Sequence, residues 1–432
     1  LTCYGMATFE GPMLSLKNVN WISHFTDWTI AHVHVGGLGW NGMFTFGMAY
    51  YLVPKMWRTT IYSRSMTNTH FWLATLGIIL WVIPMYWAGF TQGLMWKDFN
   101  ADGSLAHPNF LETVTQLRPF YMLRALGGAM FIAGAVVMVV NLVKTAKQGS
   151  FLKDEDAEAP ALQPAPAHAT GKHWHTAIER RPLRFLLFAL IAILIGGIVE
   201  LVPTFMVGSN VPKIASVQPY TPLELEGRDI YIREGCYNCH SQWVRPFRDE
   251  VKRYGEYSKS GEFVYDHPFQ WGSKRTGPDL HRSGVGNAMN KPESWHYKHM
   301  IDPRYSSPGT IMPAYPWLMD KLDVSQTTNK ISAMRTIGVP YPEGYEAQAL
   351  DDLNKQAEEI YQAIITQDPE IKNARPDMEL IALIAYLERL GSDIHKGEKP
   401  EVEEVEVSAQ TIVEPVDSAA VTSTADTTNT SH

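Results

Sequence analysis

Cysteine is scarce here, with three in 432 residues. Cys3 stands alone near one end, so the pair Cys236 and Cys239 has no second C-x-x-C to complete a four-thiolate zinc site. The chain also lacks a basic patch interleaved with aromatics, and nucleic acid is therefore not an expected partner. No internal repeat is visible. It does not begin with methionine, and no signal-peptide n-region precedes the first apolar segment, so more membrane helices are expected before Leu1. From Gly391 to His432 there is no aromatic residue, and nine acidic residues face two lysines. That stretch carries most of the formal net charge of −8 and is expected to be a disordered tail.

What is present is unevenly placed. Trp28–Val53, His70–Gly93, Leu117–Val143 and Leu183–Met206 are apolar and long enough to cross a bilayer, which takes about 20 helical residues. Leu1–Leu16 reads as the end of an earlier span. Trp21, Trp28, Tyr50, Tyr51, Trp57, Tyr86, Trp87 and Trp96 gather near the span ends, as an interfacial belt does. Lys55, Arg58 and Arg64 follow the first span, and Lys144, Lys147 and Lys153 follow the third. The loop Met95–Thr115 has Lys97 against Asp98, Asp102 and Glu112. Positive loops stay inside, so everything after Met206 is expected outside the cytoplasm. Asp154–Gly171 is a Pro/Ala-rich linker that looks like a seam between two units.

Cys236-Tyr-Asn-Cys239-His240 reads C-x-x-C-H, the attachment site of a c-type haem. Each thiol adds to one vinyl group, and His240 is then placed to ligate the iron. A redox dithiol would not require that histidine. The outward orientation of this half agrees with the compartment in which such haems are attached. Pro222–Tyr231 and Pro376–Leu390 are the helices expected to pack across the haem, with Leu380, Ile384 and Leu387 on one face. The second axial ligand is expected to be Met312, in the proline-stiffened run Gly309-Thr-Ile-Met-Pro-Ala-Tyr-Pro316. Met319 is the next choice, and His281 or His299 would give bis-histidine ligation. Gly277-Pro278 could set a carbonyl against the His240 ring N–H.

His32 and His34 lie in Ala31-His-Val-His-Val-Gly36 at the outer end of the first span. Residues i and i+2 on an α-helix are about 200° apart with a rise of about 3 Å, so the two rings cannot chelate one ion. They can ligate two irons, one on each side of the helix. A hydrogen-bonded polar pair within a bundle is the plainer alternative. Gly36, Gly37 and Gly39 leave room for flat macrocycles. Either His24 or Asp27, just outside this helix, could meet haem propionates or cap its N-terminus, the cap being the simpler role for Asp27.

Together these runs resemble the cbb3-type cytochrome c oxidases, a branch of the haem–copper oxidases. Tyr4-Gly-Met-Ala-Thr-Phe-Glu-Gly-Pro12 and His24-Phe-Thr-Asp-Trp-Thr-Ile-Ala-His-Val-His-Val-Gly36 are similar to the catalytic subunit. Cys236–Gln242, Arg245–Arg248, Trp271–Leu280 and Met312–Tyr315 are similar to the membrane-anchored monohaem cytochrome c subunit. The resemblance implies an all-α fold: a partial oxidase-type membrane helix bundle plus a single-span anchored c-type cytochrome domain. The expected parts are catalytic-subunit helices at 1–148, a cytoplasmic linker at 149–175, an anchor helix at 176–208, a periplasmic cytochrome domain at 209–392 and the acidic tail at 393–432.

By the same resemblance, His32 is the proximal ligand of haem b3 and the catalytic residue, and His34 is a ligand of haem b. Cys236, Cys239, His240 and Met312 hold covalent haem c, and His24 lies near propionates. The implied reaction is reduction of dioxygen to water with proton pumping in the bacterial inner membrane. Electrons would pass from a soluble cytochrome c through haem c and haem b to the haem b3–copper centre. Other oxidase subunits, including a dihaem cytochrome c, are the implied partners, and the copper ligands are expected upstream of Leu1. A nitric oxide reductase-like enzyme, or a membrane-anchored electron carrier without catalysis, remains the alternative.

Overall fold

The structure, a computed structural model, describes residues 1–153, 174–179, 181–207 and 212–396. Most of the expected linker and nearly all of the expected acidic tail lie outside the described residues. Among the described residues the architecture is helical, and β-structure is limited to isolated bridges.

The first half holds α1 (Thr2–Ser15), α2 (Lys17–Ser23), α3 (Asp27–His34), α4 (Met43–Met56), α5 (Arg64–Met95) and α6 (Phe110–Gln148). Between α3 and α4 the helix continues as wider π-turns over Val35–Gly42. Four of those eight residues are glycines, poor α-formers that give the backbone room to open. The expected first span is therefore helical throughout but not one uninterrupted α-helix. Among the described residues, α5, α6 and Pro182–Met206 are the helices long and apolar enough to cross a membrane.

Small residues set the packing of this half. A Cβ on Gly77 would stand 2.7 Å from the Gly127 carbonyl, and one on Gly127 would stand 2.6 Å from the Gly77 carbonyl. The α5 and α6 backbones therefore touch, as membrane helices do at paired small residues. Gly89 does the same for α3, since a Cβ there would sit 2.6 Å from Trp28 Cα. Asn141 on α6 grips the start of α5, donating to the Ser63 carbonyl at 2.9 Å and accepting from the Ser63 N–H at 3.1 Å.

The second half contains α7 (Trp174–Glu179), α8 (Pro182–Met206), α9 (Pro222–Arg233), α10 (Arg248–Tyr254), α11 (Glu293–Ile301), α12 (Pro303–Ser306), α13 (Thr327–Thr336), α14 (Ala349–Gln367) and α15 (Glu379–Arg389). α9 begins with a capping box: Thr221 Oγ1 accepts from the Glu224 N–H, and Glu224 Oε2 accepts from the Thr221 N–H. It crosses α15 at Gly227, where any Cβ would strike the Ala382 carbonyl. Tyr231 and Tyr386 meet at 5.3 Å beside that crossing.

The two helices expected over the haem site are thus present and in contact. α15 starts three residues later than its sequence suggests, after a turn at Pro376–Met378. Every residue from Leu380 to Leu387 is buried, not one face alone, because α9, α11 and α14 surround the helix.

Candidate functional site

The C-x-x-C-H loop leaves α9 through Gly235, whose φ of 71° is a left-handed conformation that favours glycine. Cys236 to Asn238 form one tight turn, and neither Cys236 nor Cys239 is in a disulfide. Burial, with Glu234 adding to it, pushes the Cys236 thiol up to about 12, so it rests protonated. His240 Nδ1 donates to the Pro278 carbonyl at 2.8 Å, the contact expected from Gly277-Pro278. Burial holds the ring below its ordinary pKa, which keeps it neutral with the Nε2 lone pair free. Gly277 is the other half of this cradle, since a Cβ there would lie 2.7 Å from both ring nitrogens. A proximal haem ligand needs these features: a fixed tautomer, a neutral ring whose lone pair lies on Nε2 and two thiols one turn away.

Met312 is half-buried and packs against the same core that Cys236 borders. Its loop is pinned to α11 where the Tyr315 N–H donates to the Met300 carbonyl at 2.8 Å. Met319 borders that core too. His281 is committed elsewhere, with Nε2 shared with Glu262 at 2.9 Å. His299 stacks on Trp295 at 4.4 Å and shares Nδ1 with Ser306. Burial, then the nearby His240, lowers its pKa to about 4.

The paired histidines of α3 face different neighbours. His32 Nδ1 is 3.1 Å from Glu10 Oε2 on α1. His34 Nδ1 donates to the Ile30 carbonyl at 2.8 Å, and its ring stacks at 3.9 Å on Trp81 of α5. Both Nδ1 atoms are engaged, which directs any further contact of either ring to its Nε2. Glu10 was not singled out from the sequence. It is 7% exposed, and it also accepts from Trp28 Nε1 and Tyr86 OH, each at 2.5 Å. A glutamate fixed this way orients His32 and makes its ring a stronger electron donor to a metal.

Asp27 does not cap α3. The cap is Thr26, whose Oγ1 accepts from the Trp28 N–H at 3.2 Å. Asp27 points inward and accepts from Tyr121 OH at 2.8 Å and Gln92 Nε2 at 3.0 Å, tying α3 to α6 and α5. His24 lies at the boundary between the two halves, against Phe25 and Trp243. Burial, then Arg245 and Arg275, lowers its pKa to about 4, so the ring is neutral.

That boundary is the part least visible in sequence. Phe25 is fully buried with a φ of 66°. Its carbonyl accepts from the Arg275 N–H at 2.8 Å, and its ring lies 4.3 Å from the Arg275 guanidinium and 5.5 Å from that of Arg245. Glu250 joins both arginines, and Asp279 takes Arg275 as well. Arg245 reaches on to the carbonyls of Asn20 and Trp21, and Trp21 Nε1 donates to Asp249.

Two family models match this chain. Residues 175–394 match the family described as cytochrome c oxidase, mono-heme subunit/FixO. Residues 1–130 match cytochrome c and quinol oxidase polypeptide I. A cytochrome c oxidase subunit 1 homologue of Agrobacterium tumefaciens is 53% identical over 166 residues, 38% of this chain and 30% of that protein. The cbb3-type cytochrome c oxidase subunit CcoN1 of Stutzerimonas stutzeri is 49% identical over 146 residues, 34% of this chain and 31% of that protein. A nitric oxide reductase polypeptide of the same species is 30% identical over 141 residues, 32% of this chain and 29% of that protein. The chain thus spans about a third of the length of the curated relatives it matches. It belongs to the mono-haem FixO subunit family of cytochrome c oxidases, and it carries a segment of a cbb3-type subunit 1 on the same polypeptide.

Proposed function

We propose that this chain supplies the electron-entry site and the haem-ligand helix of a proton-pumping terminal oxidase of the bacterial inner membrane. The observation that carries the reading is the outward pair on α3, with His32 backed by Glu10 and His34 by the Ile30 carbonyl. In this reading His34 ligates haem b and His32 ligates haem b3. Cys236, Cys239, His240 and Met312 hold haem c, with His24 beside the propionates. When bound, these groups and copper carry the electrons and the reduction of dioxygen to water. The copper ligands and the second haem b ligand would come from outside these 432 residues.

The chain's own residues do the holding. Gly277 and Pro278 fix the His240 ring, and Glu10 fixes the His32 ring. α8 serves as the membrane anchor, with the cytochrome domain in the periplasm. Further cbb3 subunits, among them a dihaem cytochrome c, and a soluble cytochrome c donor complete the assembly. The nitric oxide reductase reading is supported by 30% identity, against 53% and 49% for the oxidase relatives. In a pure electron carrier the Glu10–His32 contact would be a structural hydrogen bond alone. Reduced-minus-oxidised spectra of the intact protein test the proposal. Both b-type and c-type bands are expected, with a carbon monoxide-reactive b haem, and a c-type band alone would overturn it.

A further inference from the structure

We infer that the Trp243–His24 contact is the electronic bridge from the Cys236–Cys239–His240 site to the ligand helix α3. The inference rests on the haem reading above. Trp243 follows His240 by three residues, and its N–H is fixed by Asp279 Oδ2 at 2.7 Å. Its ring lies 5.7 Å from Trp271 on one side. Trp271 belongs to the wall of the C-x-x-C-H loop, because its carbonyl accepts from the Gln242 N–H and Gly272 packs against the His240 carbonyl. On the other side the Trp243 ring lies 5.7 Å from His24 and 6.1 Å from Phe25. His24 and Phe25 are themselves 4.2 Å apart, and Thr26 then caps α3. Three packed π-systems therefore run from the loop holding one haem to the N-terminus of the helix holding the others.

The backbone is strained to make this contact. Phe25 is a bulky residue in the left-handed region, a conformation that persists only where its surroundings over-determine it. The turn there sends the His24 ring to Trp243 while Thr26 starts α3. Arg275 holds it by one hydrogen bond and by its guanidinium over the ring. A second aromatic crossing, Trp21 with Phe247 at 6.3 Å, joins the same two halves through α2 without the Trp243 ring. It is the natural control.

With both groups bound, His240 would hold the one-electron donor and His34 the one-electron acceptor, so the electron lost at the first is gained at the second. Trp243 and His24 keep their oxidation states. Burial, then Arg245 and Arg275, holds the His24 ring neutral near pH 7.

The test uses the intact, haem-loaded complex. Redox titration of the b and c bands establishes that both groups are present and gives their potentials. Electron redistribution between the bands is then timed after flash photolysis of carbon monoxide from partly reduced protein. Trp243→Leu should slow it about tenfold or more, because an aliphatic side chain leaves a gap in a packed contact. Trp243→Phe should restore part of the rate, and Phe247→Leu should match the wild type. A wild-type rate in Trp243→Leu with both bands intact would overturn the bridge. Absence of a b band in the wild type would instead overturn the reading beneath it. Should Trp243→Leu fail to assemble, His24→Leu breaks the same contact from the other side. Slowing there that His24→Phe reverses, with the b and c potentials unchanged, supports the bridge, and an unchanged rate removes it.

Discussion

Replacing Glu250 with glutamine probes how the haem domain is seated on the membrane half. Glu250 is 3% exposed, takes Arg245 Nε at 2.5 Å and Arg275 Nη2 at 2.9 Å, and accepts the Arg245 N–H at 2.7 Å. Burial alone would raise its pKa, but the two guanidiniums outweigh burial and hold the carboxyl at about 2 against an ordinary 4.5. That displacement corresponds to about 3 kcal/mol of stability at neutral pH. Because the folded value lies below the unfolded one, the contribution is complete above about pH 4.5 and is lost as pH falls through about 2. About 2 kcal/mol of it is gone by pH 3.

Glu250→Gln also takes the carboxylate from Arg245, while Arg275 keeps Asp279, and breaking a buried pair of this kind costs about 3–5 kcal/mol. Hydrogen exchange of the Arg275 amide, which is bonded to the Phe25 carbonyl, reports this local opening. At pH 7 the variant should open about 3 kcal/mol more easily than the wild type, and the difference should shrink to about 1 kcal/mol at pH 3. Equal protection at pH 7, or a difference that does not change with pH, would refute the reasoning.

Three further substitutions probe the sites themselves. Glu10→Gln replaces the carboxyl behind His32 with an amide, so the iron–histidine stretch of the reduced b-type haem should fall in frequency by resonance Raman, and an unmoved band would deny Glu10 its role. Gly277→Ala would drive a methyl into the His240 ring, so the low-spin c-type spectrum should be lost in the variant, and an intact spectrum would show that the ring can move. Met312→Ala should leave haem c covalently attached but with a lower potential and altered ligation. An unchanged potential would move the ligand to Met319 or His299.

How much of this was legible in sequence follows the range of each interaction. The C-x-x-C-H loop is local chemistry, and His240 with Pro278 needed only a stiff Gly-Pro segment to bring a carbonyl to the ring. The opposed histidines follow from helix geometry, and the helices of the first half from apolar run length. Long-range pairings were hidden. Glu10 lies 22 residues before His32 on another helix, and nothing in its own surroundings marks it as a partner. The seat of Phe25 depends on a backbone angle and on residues about 220–250 positions away, a type of contact that no periodicity encodes. Thr26 rather than Asp27 caps α3, because Tyr121 and Gln92 offer the carboxylate better partners inside. α15 reads as amphipathic from a few leucines, yet it is buried all round, since burial depends on how many neighbours arrive and not on the helix's own pattern.

The central claim is that His32 and His34 grip two separate porphyrins while Cys236 and Cys239 tether a third. Acid–acetone extraction of the purified holoprotein, with haem counted in both fractions, tests it most directly. Two extractable b-type haems for each haem left on this polypeptide, counted apart from the covalent haems of the dihaem subunit, are predicted. A protein that releases no porphyrin, and keeps only the covalent one, would contradict it.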